Sequence, residues 1–239
     1  MKIQFHTDSR GLVTATKSAM LGLAAAAVLT ACGGTSEGGM AQDGLAKYEV
    51  AGDHSIGDVN APITVVEYAS VTCSACANWH EAVWPDIRKD YIDTGKVRFI
   101  YREFPTAPQN LAMAGFLIAN CASEDQYFAN IGLQYERQRQ LVNSLSTGRA
   151  AQEYQALAKT AGLSEKAYDA CLANEDERAK LEAVIIGGQD AGVRGTPAFF
   201  INGKVEKVYK IEDFDKFFAE HVEVPERAPA DEAEAAPEH

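Results

Sequence analysis

Only two of the five cysteines in this 239-residue chain stand close together, and none of its five histidines pairs with another at metal-ligand spacing. A structural zinc site wants four ligands, commonly as two close pairs. Cys73 and Cys76, with Cys32, Cys121 and Cys171 each isolated, do not supply them. Covalent haem attachment needs a histidine directly after the second cysteine of the pair; residue 77 is alanine. The four methionines form no cluster, so copper carriage by the two thiols lacks its soft-ligand company. No metal and no organic cofactor is expected. Basic charge is also short. Lys and Arg number 22 against 34 Asp and Glu, a net charge of −12 that disfavours nucleic acid. The apolar stretch at residues 19–29 is about half the roughly 20 residues a membrane-spanning helix needs. No internal repeat is visible.

That stretch has another use. Lys2, Arg10 and Lys17 precede it, and Leu29-Thr30-Ala31-Cys32 ends it. Positive charge, a short apolar run and small residues make an export signal. The last four residues resemble a bacterial lipobox, in which the chain is cut before the cysteine and the sulfur is acylated. The alternative is an ordinary secretory signal that contains a cysteine. The expected organisation is a lipoprotein-type signal over 1–31 and a lipidated Cys32 with a Gly-rich tether over 32–53. The protein would then sit in the bacterial envelope, periplasmic and held to the inner or outer membrane. An odd cysteine in an exported chain needs an explanation, and Cys32 supplies it. Cys121 and Cys171 are left as either an oxidised pair or two separate buried thiols. Residues 222–239 are rich in Pro and acid and read as a disordered tail.

Between these ends lies enough patterned sequence for one core. Ile63–Tyr68 and Val97–Arg102 read as strands from their β-branched and aromatic content. The span from Cys76 to about Tyr91 reads as a helix kinked at Pro85. Residues 109–192 read as helices, with starts at Ser123 (a capping box with Gln126), Ser164 and Asp176. Ala198–Ile201 and Val205–Val208 flank Asn202-Gly203, a two-residue hairpin signal, and Asp213–Glu220 closes as an amphipathic helix. Cys73-Ser74-Ala75-Cys76 thus follows a strand and opens a helix. There the helix N–H groups favour the anion of the first thiol, making it a good nucleophile and leaving group, which is the apparatus of thiol–disulfide exchange. Trp79 and Trp84 read as packing residues and His80 as an exposed helix histidine.

The chain resembles the DsbA-like thiol–disulfide oxidoreductases over roughly residues 54–221. The resemblance rests on Val66-Glu67-Tyr68, four residues, then Cys73-x-x-Cys76, and on Gly195-Thr196-Pro197-Ala198-Phe199-Phe200-Ile201-Asn202-Gly203. It implies an α/β fold: a three-layer thioredoxin domain around a central mixed sheet, residues 54–107 and 187–221, with an all-helical insertion over 108–186. It further implies that Cys73 is the exposed nucleophile and Cys76 the buried resolving thiol. Pro197 would be cis, its loop with Thr196 lying beside Cys73 as the substrate-binding edge. Glu67 falls where relatives carry a buried acid beneath the active site, although from its own sequence it is equally a satisfied strand residue. The distribution of Cys121 and Cys171 resembles a branch with a second disulfide in the helical domain. Strong oxidants of the family often carry Pro-His between the cysteines. Ser74-Ala75 removes that imidazole and implies a milder oxidant.

The function implied is donation of a disulfide to reduced exported proteins, with a membrane-bound partner reoxidising the CxxC. Two alternatives stand beside it: an isomerase or reductase of the same fold, and an anchored non-enzymatic chaperone or copper carrier. Isomerases of the superfamily usually carry an N-terminal oligomerisation module. Residues 33–53 are too few for one, so a monomer is expected.

Overall fold

The computed structural model describes residues 47–227. The signal segment, Cys32, most of the tether and residues 228–239 lie outside the described residues. The chain runs β1 (His54–Ile56), β2 (Ile63–Ala69), α1 (Ser74–Ala82), α2 (Trp84–Ile87) with a π turn (Arg88–Ile92), and β3 (Val97–Glu103). The insertion follows: α3 (Gln109–Cys121), a 3-10 turn (Glu124–Gln126), α4 (Tyr127–Glu136), α5 (Gln138–Ser146), α6 (Ala150–Thr160), α7 (Glu165–Leu172) and α8 (Glu175–Asp190). Then come β4 (Ala198–Ile201), β5 (Lys204–Glu206) and α9 (Ile211–Phe218). The sheet order is β1-β3-β2-β4-β5, with β2 and β3 parallel and the other neighbours antiparallel. This is the mixed sheet of a thioredoxin fold interrupted by a helical insertion.

The period-two alternation of a strand sorts the two faces. Ile63, Val65 and Ala69 of β2, with Val97, Phe99 and Tyr101 of β3, pack into the main core with Cys76 and Trp79 of α1 and Phe214 and Phe218 of α9. By the same alternation Glu67 lies on that face, beneath α1. Val66, Tyr68 and Ile100 point the other way and pack with Val193. The insertion has its own core of Leu111, Ile118, Leu141, Tyr154, Leu157, Ala158 and Tyr168. It is also tied across by a Cys121–Cys171 disulfide, S–S 2.09 Å, linking the end of α3 to α7. Asn202 and Gly203 both take positive φ, 49° and 79°, so the β4–β5 hairpin closes on a type I′ turn. The Asn202 carboxamide oxygen also accepts from the Thr64 N–H at 2.9 Å, anchoring the turn to β2.

Several sequence-based boundaries need correction. Strand β1 escapes detection because three residues carry no periodicity. The helix after Cys76 breaks at Val83 rather than kinking at Pro85. A fresh start at Trp84 puts Pro85 in a first turn, where its missing N–H costs nothing. Ser123 makes no side-chain cap. Helix α8 is capped by Asn174, whose side chain accepts from the Glu177 N–H, rather than beginning at Asp176. The division at 186/187 falls inside α8, a continuous helix. Its C-terminal end packs so closely on the sheet that a Cβ at Gly188 would lie 2.8 Å from the Tyr68 ring. Neither end of the domain falls where composition puts it. Arg98 and Arg102, alternating with the core residues of β3, form bidentate pairs with Glu49 and Asp53, so the fold begins before residue 54. Val222 and Val224 pack on the core, and Arg227 reaches Asp86, Asp90 and Asp215. The expected tail is therefore part of the fold as far as 227, because two valines and one arginine find partners that composition does not count.

Candidate active site

Cys73 is the N-cap of α1, with extended φ and ψ of −83° and 117°. Its sulfur accepts the Cys76 N–H at 3.3 Å. The thiol is half-buried, whereas Cys76, one turn into the helix, is 0 % exposed. The two are free thiols, so this is the dithiol state. Thr196-Pro197 is a cis peptide, and the Thr196 carbonyl lies 3.3 Å from the Cys73 sulfur. The Thr196 hydroxyl is buried and has no hydrogen-bond partner.

These surroundings split the two thiols. A hydrogen bond from the Cys76 thiol is the main stabiliser of the Cys73 anion. The Thr196 hydroxyl and the helix N–H groups add to it, against a partial burial penalty, and the Cys73 pKa falls to about 6. Cys76 moves far upward, first because it is desolvated, then because its proton is held by Cys73, then because the Glu67 carboxylate repels a second anion. One sulfur is therefore ionised at neutral pH and the other keeps its proton.

The turn that presents Cys73 is held from the insertion. Gln138, buried at the start of α5, donates its Nε2 hydrogens to the carbonyls of Val71 and Cys73, each at 2.9 Å. Thr72 donates to the Thr106 carbonyl at 3.0 Å. A cavity of about 820 Å³ opens beside the cysteines, walled by Ala75, Trp79, Pro197, Phe199, Tyr209 and Ile211. Its lining is mostly apolar and suits an extended peptide.

Glu67 is 0 % exposed beneath α1. Its Oε2 lies 2.9 Å from His80 Nε2, and its Oε1 has no partner. The imidazole stacks on the Tyr135 ring at 4.3 Å. Tyr135 and Tyr101 bond to each other through their hydroxyls at 2.8 Å, and burial holds both phenols well above their ordinary range. His80 is thus not the exposed helix residue that its type suggests; only 6 % of its side chain is accessible. The i,i+4 step from Cys76 to His80, which puts both on one helix face, is the signal that could have found it. Gln138 has no comparable signal in the sequence. Trp79 is buried among Phe99, Phe199 and Phe214, and Trp84 packs on Phe99, both as packing residues. Among the described residues no cluster of three or more His, Cys, Asp and Glu is placed to hold a metal ion, and no helix is long and apolar enough to cross a membrane.

The protein-family profile described as thioredoxin matches residues 49–220. A Rickettsia prowazekii protein provisionally named a protein-disulfide oxidoreductase is 30% identical over 179 residues, covering 69% of this chain and 59% of the relative. The chain therefore spans less than two thirds of that relative's length. Among solved structures, Wolbachia pipientis alpha-DsbA1 superposes with a TM-score of 0.64 at 24% identity, covering 72% of this chain and 92% of that one. Oxidised BdbD from Bacillus subtilis does so with a TM-score of 0.61 at 20% identity, covering 70% and 91%.

Proposed function

We propose, for a chain that belongs to the thioredoxin family through residues 49–220, that it is a protein-disulfide oxidoreductase whose Cys73–Cys76 pair donates a disulfide to reduced exported proteins. The observation that carries this reading is the split between the two thiols: Cys73 accessible and ionised beside Thr196 and Pro197, Cys76 sealed and protonated. In the oxidised protein a substrate thiolate attacks Cys73, the Cys73–Cys76 bond breaks, and Cys76 takes up a proton. A second substrate thiolate then attacks the substrate sulfur of the mixed disulfide. Cys73 leaves as a thiolate, and the substrate departs with a new disulfide. The low pKa of Cys73 stabilises the reduced enzyme and so favours oxidation of others. The apolar cavity and the backbone before Pro197 would receive the substrate as an extended strand.

Function in the envelope follows from the Leu29–Cys32 motif: a lipidated Cys32 holds a monomer at a membrane, where a membrane-bound partner reoxidises the pair. Cys121–Cys171 is the structural disulfide of this reading. The test uses protein carrying Cys32→Ser, to keep it free of lipid, in two assays. Fast oxidation of a reduced dithiol peptide with little rescue of a scrambled multi-disulfide client supports the oxidase. Efficient rescue of the scrambled client by a dimer would replace it with an isomerase.

A further inference from the structure

Glu103, the last residue of β3, is a buried acid that thiol–disulfide exchange does not use; only 5 % of its side chain is accessible. Its Oε1 accepts from the Tyr127 hydroxyl at 2.8 Å and from Asn120 Nδ2 at 3.2 Å. Both bonds fall on that one oxygen. Oε2 has no bond among the described residues, yet it is not one of the unbonded atoms sealed from solvent. It therefore opens on the cavity that Glu103 lines. His54 stacks on the Tyr127 ring at 3.5 Å, with its Nε2 3.8 Å from Oε1. That nitrogen bonds to Asn120 Oδ1 and not to the carboxylate.

The cavity measures about 870 Å³ and lies where the segment entering β1, the end of β3, and α8 meet. It shares no lining residue with the cavity beside the cysteines. Val50, Tyr68, Leu181, Ala183 and Val184 give it apolar walls. Two other acids on its walls already hold cations: Asp53 pairs with Arg102 at 2.8 Å and Glu177 with Lys180 at 3.0 Å. The Glu103 carboxylate is thus the charge that the cavity leaves to a ligand. A hydrocarbon cavity with a few fixed polar groups is the usual build of a small-molecule site. An anion would be repelled by it, and a wholly apolar ligand would strip water from Oε2 and give nothing back. A divalent metal needs several oxygen ligands, and among the described residues no such cluster is placed to hold one. An ammonium group on a hydrocarbon body meets both demands, donating a charge-assisted bond to the carboxylate and laying its carbons on the walls.

We propose that this cavity binds an amphipathic primary amine, with its ammonium on Glu103 Oε2 and its hydrocarbon body against Tyr68, Leu181 and Val184. The site stands independently of the thiol–disulfide reading. The same chemistry is carried by a free amine and by the lysine side chain of another protein, and the test separates the two.

The test titrates protein carrying Cys32→Ser at about pH 8, where an ordinary histidine is neutral and an alkylamine is charged. Calorimetry follows three ligands of one shape: cyclohexylmethylamine, cyclohexylmethanol and cyclohexanecarboxylate. The amine should bind with a Kd of about 1 mM or tighter, and the alcohol and the carboxylate about tenfold more weakly or worse. Glu103→Gln keeps an oxygen for Tyr127 and Asn120 but removes the charge. It should bring the amine down to the affinity of the alcohol. Val184→Phe fills the cavity with Glu103 intact and should abolish binding of both, which decides the matter should the Glu103 variant fail to fold. A blocked peptide with one central lysine then identifies the source. Tighter binding than the amine assigns the site to a protein's lysine, and weaker binding to a free amine. Equal affinity for the three ligands, an amine affinity unchanged in either folded variant, or no binding of amine or peptide overturns the proposal. So does saturable calcium binding that Glu103→Gln removes, which would make this a metal site.

Discussion

Gln138 of the insertion holds the backbone carbonyl of Cys73 at 2.9 Å, and with its second Nε2 hydrogen the carbonyl of Val71 at the same distance. A residue 65 positions away in sequence thus fixes the turn from which Cys73 projects. Removing the amide leaves the buried Val71 oxygen without that donor. Gln138→Leu should cost about 1–3 kcal/mol of stability and slow peptide oxidation, as chemical denaturation and a single-turnover assay would measure. Unchanged stability would mean that the insertion does not brace the turn.

Cys73 should be labelled first and at low pH. Alkylation of the dithiol form should follow a titration with its midpoint at about 6, while Cys76 stays unlabelled in the native protein. Mass mapping of peptides after timed iodoacetamide treatment reads both at once. Equal labelling of the two thiols contradicts the assigned roles.

The same shift makes the stability of the reduced protein depend on pH. Cys73 ionises at about 6 when folded, below its ordinary value of 9.0. The resulting stabilisation is fully present above the unfolded value and is lost as pH falls through about 6. The disulfide form has no thiol there to ionise. Melting both forms between about pH 5 and 8 should therefore show the dithiol form gaining on the disulfide form as pH rises. A constant difference would argue that Cys73 is not ionised in that window.

The Cys121–Cys171 bridge closes a loop of 50 residues across the insertion. The chain-entropy account gives roughly 4 kcal/mol at most for a loop of this length. Replacing both cysteines with serine should lower stability towards that figure and leave the Cys73–Cys76 chemistry in place. Peptide mapping without reductant tests the pairing itself, and two free thiols there would reject it.

Cys32→Ser should release the protein from membranes in the native host, and intact mass should show the loss of acyl chains. Equal membrane retention of the variant would reject the anchor.

What the sequence made legible was whatever local patterning encodes. Ile63–Tyr68 and Ala198–Ile201 announce themselves by composition, Asn202-Gly203 by turn chemistry, and the CxxC by spacing. His80 and Gln138 were hidden for a different reason. A histidine on a nine-residue helix is read as exposed unless its partner is known, and that partner, Glu67, sits on a strand 13 residues earlier. Gln138 bonds to main-chain carbonyls, which every residue carries, so nothing marks its targets. The domain edges failed in a third way. Glu49, Asp53 and Arg227 look like linker charges until the arginines and aspartates that meet them are placed by the fold.

The Arg227 guanidinium stands where α2, the π turn and α9 converge, facing the carboxylates of Asp86, Asp90 and Asp215. Asp86 lies on α2, Asp90 on the π turn and Asp215 on α9, and Arg227 is the cation common to all three. The limit of this domain is thus drawn, beyond the last helix, by this charge pairing together with Val222 and Val224 on the core. A chain cut after α9 would lose Val222 and Val224 from the edge of its core and, with Arg227, the guanidinium that meets Asp86, Asp90 and Asp215, leaving only Lys89 beside Asp90, a crowding of negative charge that added salt would partly mend.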